Sequence, residues 1–440
     1  MNLSVFPQYT KFDPQVPVYC ITPAEGRVIH RYFTTSPFSP SGRYLAAFRL
    51  PYEDHPPRPG DRGQVIVIDL ETGREQVVAT SGGWEMQVGA NINWGIDDDT
   101  LIFNDVNADN WTVHGVKLHI STGEQEHFEH GVYHVSSDGH YALVGNLITE
   151  RRTQTGYGVV IPDELVPKFV GLNGEDGLWV TNLDTMETKM LISIKEAVER
   201  TASPEQLRDF ERFEHYIFHS NWSPDGRRIM FSIRRYPHEE PGRFNMIAGG
   251  EMYFDVYTIN ADGTGLHNAL DSEVWRNYGH HTAWEPDSTH LSLNLAIDGG
   301  QQVKFCEVNY DGRNLHRLFD NPVGSGHPQI HPSGKFLVTD VYMFEPLCNE
   351  DGTSPLRFID LGSRQETDFV RIGVRPPTEN VKRFIELRLD PHPAWDRTWR
   401  YLAFNAIEGG TRRIFIADMK PLMGKAGLQT GRPYTQTSNR

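Results

Sequence analysis

One sequence unit recurs along almost the whole of this 440-residue chain, and it limits the folds that the chain can adopt. Each unit has an aromatic or aliphatic residue, a turn of the Ser-Pro-Asp-Gly type and an apolar strand. After a variable gap come a second strand, a turn that contains glycine, and a third strand. The copies of the first part begin at Phe38, Trp94, Val135, Trp222, Trp284, Ile330 and Trp395.

The second part of the unit has the pattern of a β-hairpin. Val65–Gly73 and Val256–Gly263 are two examples in which apolar and polar residues alternate up to a glycine turn. Four-stranded units of about 40–45 residues are typical of β-propellers, which close radially and so leave few exposed sheet edges. We therefore predict an all-β chain that forms a single seven-bladed β-propeller over residues 1–422. Residues 423–440 are predicted to be a flexible tail.

Two segments complete this prediction. The last unit ends after Ile414–Asp418 without a fourth strand, and residues 16–21 are expected to supply one from the N-terminal end. Residues 193–219 carry apolar side chains at near-helical spacing, with Ser203-Pro-Glu-Gln206 as a helix start. This pattern predicts a helical insert between blades 3 and 4.

The overall charge and composition exclude several classes of partner. The formal net charge is −16, which argues against a nucleic-acid backbone as the main partner. No apolar run reaches the roughly 18 residues that a membrane span requires, so no membrane partner is expected. The three cysteines are too few and too scattered for a disulfide framework, and the first residues lack a secretory pattern, so a cytoplasmic location is expected. The oligomeric state is not set by the sequence.

Aligning the units brings four histidines to one structural position. Three residues before the hallmark aromatic or aliphatic residue, blades 4 to 7 have His219, His281, His327 and His392. Residues at one strand offset point the same way, so the four imidazoles should converge at one end of the central channel. Asp390 lies two residues before His392 and adds an oxygen ligand. Imidazole and carboxylate together suit a divalent metal ion. His280 and His331 are out of phase and are expected to point elsewhere.

Other interpretations of this position are weaker. Each histidine alone could be hydrogen-bonded to the backbone of a turn that tolerates it, but four in register on consecutive blades favour a functional site. The sequence has no G-x-S-x-G elbow, no P-loop and no H-E-x-x-H motif, which are signatures of other hydrolytic and phosphate chemistries.

The histidine segments, together with Ile29–Phe33, resemble the oligogalacturonate lyases, which are manganese-dependent seven-bladed propellers that act on short pectin fragments inside bacteria. The similarity is clearest over residues 279–340 and 389–406. It implies that His281 is the catalytic base and that His327 and His392 are metal ligands. The implied metal is Mn²⁺, with Ca²⁺ and Zn²⁺ as alternatives.

The sequence departs from the family pattern at three positions. Asp390 stands where the family has a second histidine, and Leu387 aligns with a glutamine ligand but cannot coordinate a metal. Asp255 lies near the position of the family's catalytic arginine. These changes bear on the substrate more than on the site itself.

The predicted function is metal-assisted β-elimination on an acidic, uronate-containing oligosaccharide. His281, Arg235 and Arg31 are the predicted catalytic residues, since a cation beside the base would neutralise the substrate carboxylate. The predicted substrate-binding residues are His219, Arg243 and Asn91, and the predicted metal ligands are His327, His392 and Asp390. Two alternatives stay open: a lyase that acts on another uronic-acid glycan, and a non-catalytic propeller scaffold of the periplasmic translocation type that binds protein.

Overall fold

The computed structural model describes residues 1–152, 156–238, 252–297, 299–300, 302–376 and 386–428. Strands dominate this part of the chain, and its helices are short. The prediction of an all-β protein is confirmed. Every helix among the described residues is too short or too polar to span a bilayer.

Five antiparallel sheets have four strands each, and each sheet is built from consecutive strands. The first comprises β2 to β5, at Val28–Ile29, Tyr44–Arg49, Gly63–Asp69 and Glu75–Ser81. The second comprises β6 to β9, at Asn93–Trp94, Thr100–Asn107, Thr112–His119 and Gln125–Glu129. The third comprises β10 to β13, at His134–Val135, Tyr141–Val144, Gly177–Asn182 and Glu187–Ser193. The fourth comprises β14 to β17, at Phe213–Trp222, Arg228–Pro237, Tyr253–Asn260 and His267–Leu270. The fifth comprises β18 to β21, at Gly279–Trp284, His290–Leu295, Lys304–Asn309 and His316–Arg317.

The remaining strands form one eight-stranded sheet that has two halves. One half comprises β22 to β25, at Gln329–Ile330, Phe336–Thr339, Thr353–Asp360 and Glu366–Gly373. The other comprises β26 to β28, at Ala394–Trp395, Tyr401–Glu408 and Thr411–Asp418, together with β1 at Val18–Cys20. A single residue pair, Gly373 with Ile407, joins the halves. Because β1 pairs antiparallel with β28, the N-terminal segment completes the half that contains the last strands of the chain.

The helices are α1 (Ile194–Glu199), α2 (Pro204–Phe210) and α3 (Lys420–Lys425). The first two lie between β13 and β14, within the region that the sequence predicts to be helical. The helical region ends earlier than the predicted residue 219, because β14 begins at Phe213. The predicted tail begins at residue 423, inside α3, where Leu422 and Met423 are buried. Residues 429–440 lie outside the described part of the chain.

The hydrogen bonds of the repeated turn explain why its sequence recurs. In the turn before β11, the Ser136 hydroxyl donates to Asp138 at 2.6 Å, and Gly139 has a φ of 80°, which favours glycine. Two of the hallmark tryptophans are hydrogen-bonded to the preceding unit. Trp94 Nε1 donates to the carbonyl oxygen of Pro37 at 2.8 Å, and Trp284 Nε1 donates to that of Asn221 at 3.2 Å. The repeat thus encodes both a tight turn and the contact between neighbouring sheets.

Candidate metal centre

In four of the seven units, the residue three positions before the hallmark residue has an unusual backbone. Asn91, His219, His281 and His392 have φ values of 53°, 52°, 56° and 49°, a region that non-glycine residues seldom adopt. The strand register also shifts between Phe218 and Asn221, and the same shift recurs one sheet later around His281. Such bulges redirect side chains and concentrate near functional sites. The shared backbone therefore turns these side chains toward one place.

The four imidazoles lie close together. The ring centres of His281 and His327 are 3.8 Å apart in a stacked arrangement, and those of His327 and His392 are 4.6 Å apart. His219 is next to His281, at 6.3 Å. The rings of Tyr32 and Phe33 pack against this cluster, with Phe33 4.9 Å from His327. The four histidines that share one position in the aligned units thus lie side by side in the structure.

Three of the predicted residues form a group that could hold a metal ion. The ligand atoms of His327, His392 and Asp390 all lie within 4.8 Å of one another. The two histidines are 0% exposed and Asp390 is 3% exposed. Nε2 of His327 and Nε2 of His392 are buried and have no hydrogen-bond partner among the described residues. Since unsatisfied buried nitrogens cost free energy, these atoms fit the role of metal ligands.

Asp340 orients both histidine ligands. Nδ1 of His327 lies 2.9 Å from each carboxylate oxygen of Asp340. The backbone N–H groups of His327 and His392 donate to the same carboxylate, at 2.6 and 3.2 Å. Nδ1 of His392 donates to the carbonyl oxygen of Arg31 at 3.0 Å. Because each Nδ1 carries the proton, each Nε2 presents its lone pair toward the other ligands.

The sequence analysis did not single out Asp340. It directly follows β23, where a lone aspartate after an apolar strand looks like any turn residue. Arg388 is a second residue that was missed, and its Nε donates to Oδ2 of Asp390 at 3.2 Å. Burial alone would lower the pKa of Arg388, but the neighbouring Asp390 carboxylate raises it. The Asp390 carboxylate is therefore held by the positive charge of Arg388.

His281 is arranged to accept a proton at Nε2. Its Nδ1 donates to the carbonyl oxygen of Gly326 at 2.7 Å, and its Nε2 lies 2.6 Å from the hydroxyl of Tyr342. Burial, followed by the nearby imidazoles of His327 and His280, holds the pKa of His281 well below its usual range. Burial, and then the Asp390 carboxylate, raises the pKa of the Tyr342 hydroxyl well above its usual value. The two groups thus form a neutral pair of base and acid.

His280 differs from the expectation that it points elsewhere. Its Nδ1 lies 3.1 Å from Nδ1 of His281, and both side chains line one small cavity with Tyr342. The register shift between His280 and Ala283 places two residues where regular alternation would allow one. His331 does point away, since its Nδ1 contacts the Ser333 hydroxyl at 2.9 Å.

Arg234, not Arg235, reaches the histidines. Arg235 donates to Asp255 at 2.6 Å and to Ser272 at 3.0 Å, and its guanidinium packs on the ring of Phe210. Arg234 lines the cavity that also contains His219, and its charge is the largest influence after burial that lowers the pKa of that histidine. Successive strand residues face opposite sides of a sheet, so Arg234 lies beside the histidines and the predicted Arg235 faces away from them. Arg243 lies outside the described residues.

Arg31, Asn91 and His219 form one wall beside the metal group. Nε of Arg31 donates to Oδ1 of Asn91 at 3.0 Å, and Asn91 donates to Glu85 at 2.7 Å. Burial raises the pKa of the Glu85 carboxyl to about 7. The two ring nitrogens of His219 contact tyrosine hydroxyls, Tyr133 at 2.7 Å and Tyr32 at 3.3 Å. His219 therefore belongs to the wall of the site.

No family model and no curated protein matches the sequence. Two solved structures are similar in fold: an oligogalacturonate lyase in complex with manganese, and an oligogalacturonate lyase from Vibrio parahaemolyticus. Each has a TM-score of 0.60 and 14% sequence identity, over 94% of this chain and 96% of the other. The expected resemblance is thus shown at the level of the fold. A third solved structure, TolB from Acinetobacter baumannii, has a TM-score of 0.39 and 9% sequence identity over 86% of this chain and 80% of the other.

Proposed function

We propose that this protein is a metal-dependent lyase that cleaves uronate-containing oligosaccharides by β-elimination, with oligogalacturonate as the first candidate substrate. The observation that carries the proposal is the pair of buried Nε2 atoms of His327 and His392, which face Asp390 and have no hydrogen-bond partner in the described structure. His281, a neutral imidazole, stacks against this group. The shared fold with an oligogalacturonate lyase in complex with manganese supports the same conclusion.

The proposal includes the architecture and the location. The five four-stranded sheets and the two halves of the eight-stranded sheet are the seven blades of one propeller, with the histidines at its axis. The segment that contains α1 and α2 is an insert between blades 3 and 4. The protein acts in the cytoplasm on short fragments of pectin.

His327, His392 and Asp390 would hold the metal. A divalent cation bound there supplies positive charge to the uronate carboxylate and so stabilises the enolate that develops when the C5 proton leaves. Two imidazole nitrogens and one carboxylate oxygen suit Mn²⁺, with Zn²⁺ and Ca²⁺ as alternatives. Leu387 is fully buried and apolar, so it contributes no ligand.

The chain's own residues carry the proton transfer. Nε2 of His281 accepts the C5 proton, and the C5–H electron pair becomes the C4–C5 double bond as the C4–O bond breaks. The departing oxygen takes the proton of the Tyr342 hydroxyl. The His281 imidazolium then returns a proton to Tyr342 across the 2.6 Å contact, which restores both groups.

Arginines beside the histidines bind the substrate carboxylates. Arg234 lines the cavity with His281, and Arg31 is buried in the adjacent wall. Planar guanidinium groups bind carboxylates through paired hydrogen bonds. These local cations allow a protein of net charge −16 to bind an acidic sugar.

The direct test is to incubate the protein with oligogalacturonate and Mn²⁺ and to follow the ultraviolet absorbance of the new double bond. The absorbance should rise and a chelator should abolish the rise. Because Asp390 and Leu387 depart from the family pattern, the panel includes glucuronate-containing oligosaccharides. A flat trace on every uronate substrate, with Mn²⁺ bound, would contradict the proposal. A flat trace without bound metal would favour the scaffold.

A further inference from the structure

The repeated turn before β19 has two carboxylates where the turn of the preceding unit has a serine and an aspartate. In the preceding unit, the Ser223 hydroxyl donates to Asp225 at 2.7 Å. Glu285 stands at the position of that serine, and Asp287 stands at the position of the aspartate. A carboxylate cannot donate a hydrogen bond unless it is protonated. The turn therefore places two acidic groups where its neighbour places a donor and an acceptor.

Two further side chains complete this cluster. Nδ1 of His290 lies 2.6 Å from Oδ2 of Asp287, and Nε2 of His290 lies 3.9 Å from Oε1 of Glu307. The ligand atoms of Glu285, Asp287 and His290 lie within 4.8 Å of one another. Glu285 is 8% exposed, and its Oε1 is buried without a hydrogen-bond partner in the described part of the chain.

The charges of the cluster do not balance. Three carboxylates face one imidazole, so the net charge is −2 when all three are ionised and His290 is protonated. Within the described ranges, the ion pairs of these carboxylates are with His290 alone. Burial, then the charges of Glu307 and Asp287, and a hydrogen bond between the Glu285 and Glu307 carboxyl groups raise the pKa of Glu285 to about 8. Glu285 therefore requires either a proton or a cation. Asp287 is exposed, so a cation in solution can reach the cluster.

We propose that Glu285, Asp287 and His290, together with Glu307, bind a divalent transition-metal cation at a second site. Carboxylate oxygens with one imidazole nitrogen suit Mn²⁺ or Zn²⁺. Metal–ligand bonds of about 2.0–2.2 Å place ligand atoms up to about 4.4 Å apart, so a small rotation of the side chains closes the site.

The site would stabilise the hairpin that carries the catalytic base. Glu285 follows the last residue of β18, and His290 is the first residue of β19. His281 lies within β18. A cation that joins the end of β18 to the start of β19 would hold the turn between them, and so would hold β18 in place. The expected role is therefore structural, and it does not depend on the proposed lyase activity.

The test counts bound Mn²⁺ in protein that has first been stripped with a chelator. The wild type should bind two ions, Glu285→Gln one, His392→Ala one, and the double variant none. Mn²⁺ should raise the melting temperature of His392→Ala but not of the double variant. Asp225→Asn, at the same turn position in the preceding unit, is the matched control and should retain both ions. Asp287→Asn serves as a second test, and circular dichroism checks that each variant is folded.

The outcomes separate the two metal sites. Wild-type stoichiometry in both Glu285→Gln and Asp287→Asn would overturn the second site and assign a proton to Glu285. A single ion that is lost in His392→Ala would overturn it as well. A single ion that is lost in Glu285→Gln and retained in His392→Ala would support the second site and contradict the central one.

Discussion

Replacing Asp340 with asparagine changes only how the two histidine ligands are held. The side chain keeps its shape but loses its charge, and its amide nitrogen then faces an N–H donor. Asp340 accepts from His327 Nδ1 through both oxygens and from the backbone N–H groups of His327 and His392. Asparagine has one acceptor oxygen, so one side of the carboxylate loses its contacts.

The expected effect is a loss of metal affinity. Partners that orient a metal-ligating histidine are worth 10–100-fold in affinity, which corresponds to about 1.4–2.7 kcal/mol. We expect the Kd of Asp340→Asn for Mn²⁺ to rise by a factor in this range, measured by calorimetric titration. Turnover should recover part of its loss when Mn²⁺ is raised, because His281 and Tyr342 are unchanged.

A matched control separates orientation from general damage. Asp176 is also a buried aspartate, and it lies beside the first residue of β12, on another sheet. Asp176→Asn should leave the Kd for Mn²⁺ unchanged. An unchanged Kd in Asp340→Asn would refute the reasoning, as would an equal change in both variants.

Three further predictions follow from the contacts of the site. His281→Ala should lower kcat by about 10²–10⁴-fold while the bound Mn²⁺ count stays the same, and loss of the metal would contradict the assignment of this residue as the base. Arg234→Met should raise KM or abolish activity in a folded protein. Arg235→Met should instead destabilise the fold by about 3–5 kcal/mol, because it leaves Asp255 buried and unpaired. The opposite pattern in kinetics and urea denaturation would favour Arg235 as the catalytic arginine. Burial lowers the pKa of His219, His281 and His392 well below 6.5, so the unfolded chain binds more protons than the folded chain below that pH. These histidines should therefore make the metal-free protein less stable as the pH decreases below about 6.5, whereas the raised pKa values of Glu85 and Glu285 act in the opposite direction. A pH dependence of the free energy of unfolding that is unchanged in His219→Phe would contradict the burial of a neutral imidazole at that position.

The sequence predicted those features that the repeat itself encodes. The turn of Ser136 and Asp138 and the strand that follows it can be read from a single copy of the unit. The cluster of His219, His281, His327 and His392 can be read only by aligning copies, because the position has no local signature. At His219, His281 and His392 its physical basis is a left-handed backbone conformation that recurs from unit to unit.

The missed residues depend on details that the repeat does not specify. The bulge beside His281 reverses the expected direction of His280, and a bulge leaves no clear mark in the sequence. The choice between Arg234 and Arg235 required the register of β15 to within one residue. Asp340 lies opposite His327 in the register of β22 and β23, so finding it required the exact pairing of these two short strands. Tyr342 is 61 residues from His281 along the chain, so no local spacing brings these two side chains together.

The mass of the cleaved products tests the central claim most directly. The Mn²⁺-loaded protein is incubated with a defined oligogalacturonate, and the fragments are measured by mass spectrometry. β-Elimination predicts fragments whose masses sum to that of the substrate, with one fragment unsaturated, and His281→Ala should produce none. Fragments that together contain one additional water would indicate hydrolysis and would contradict the account.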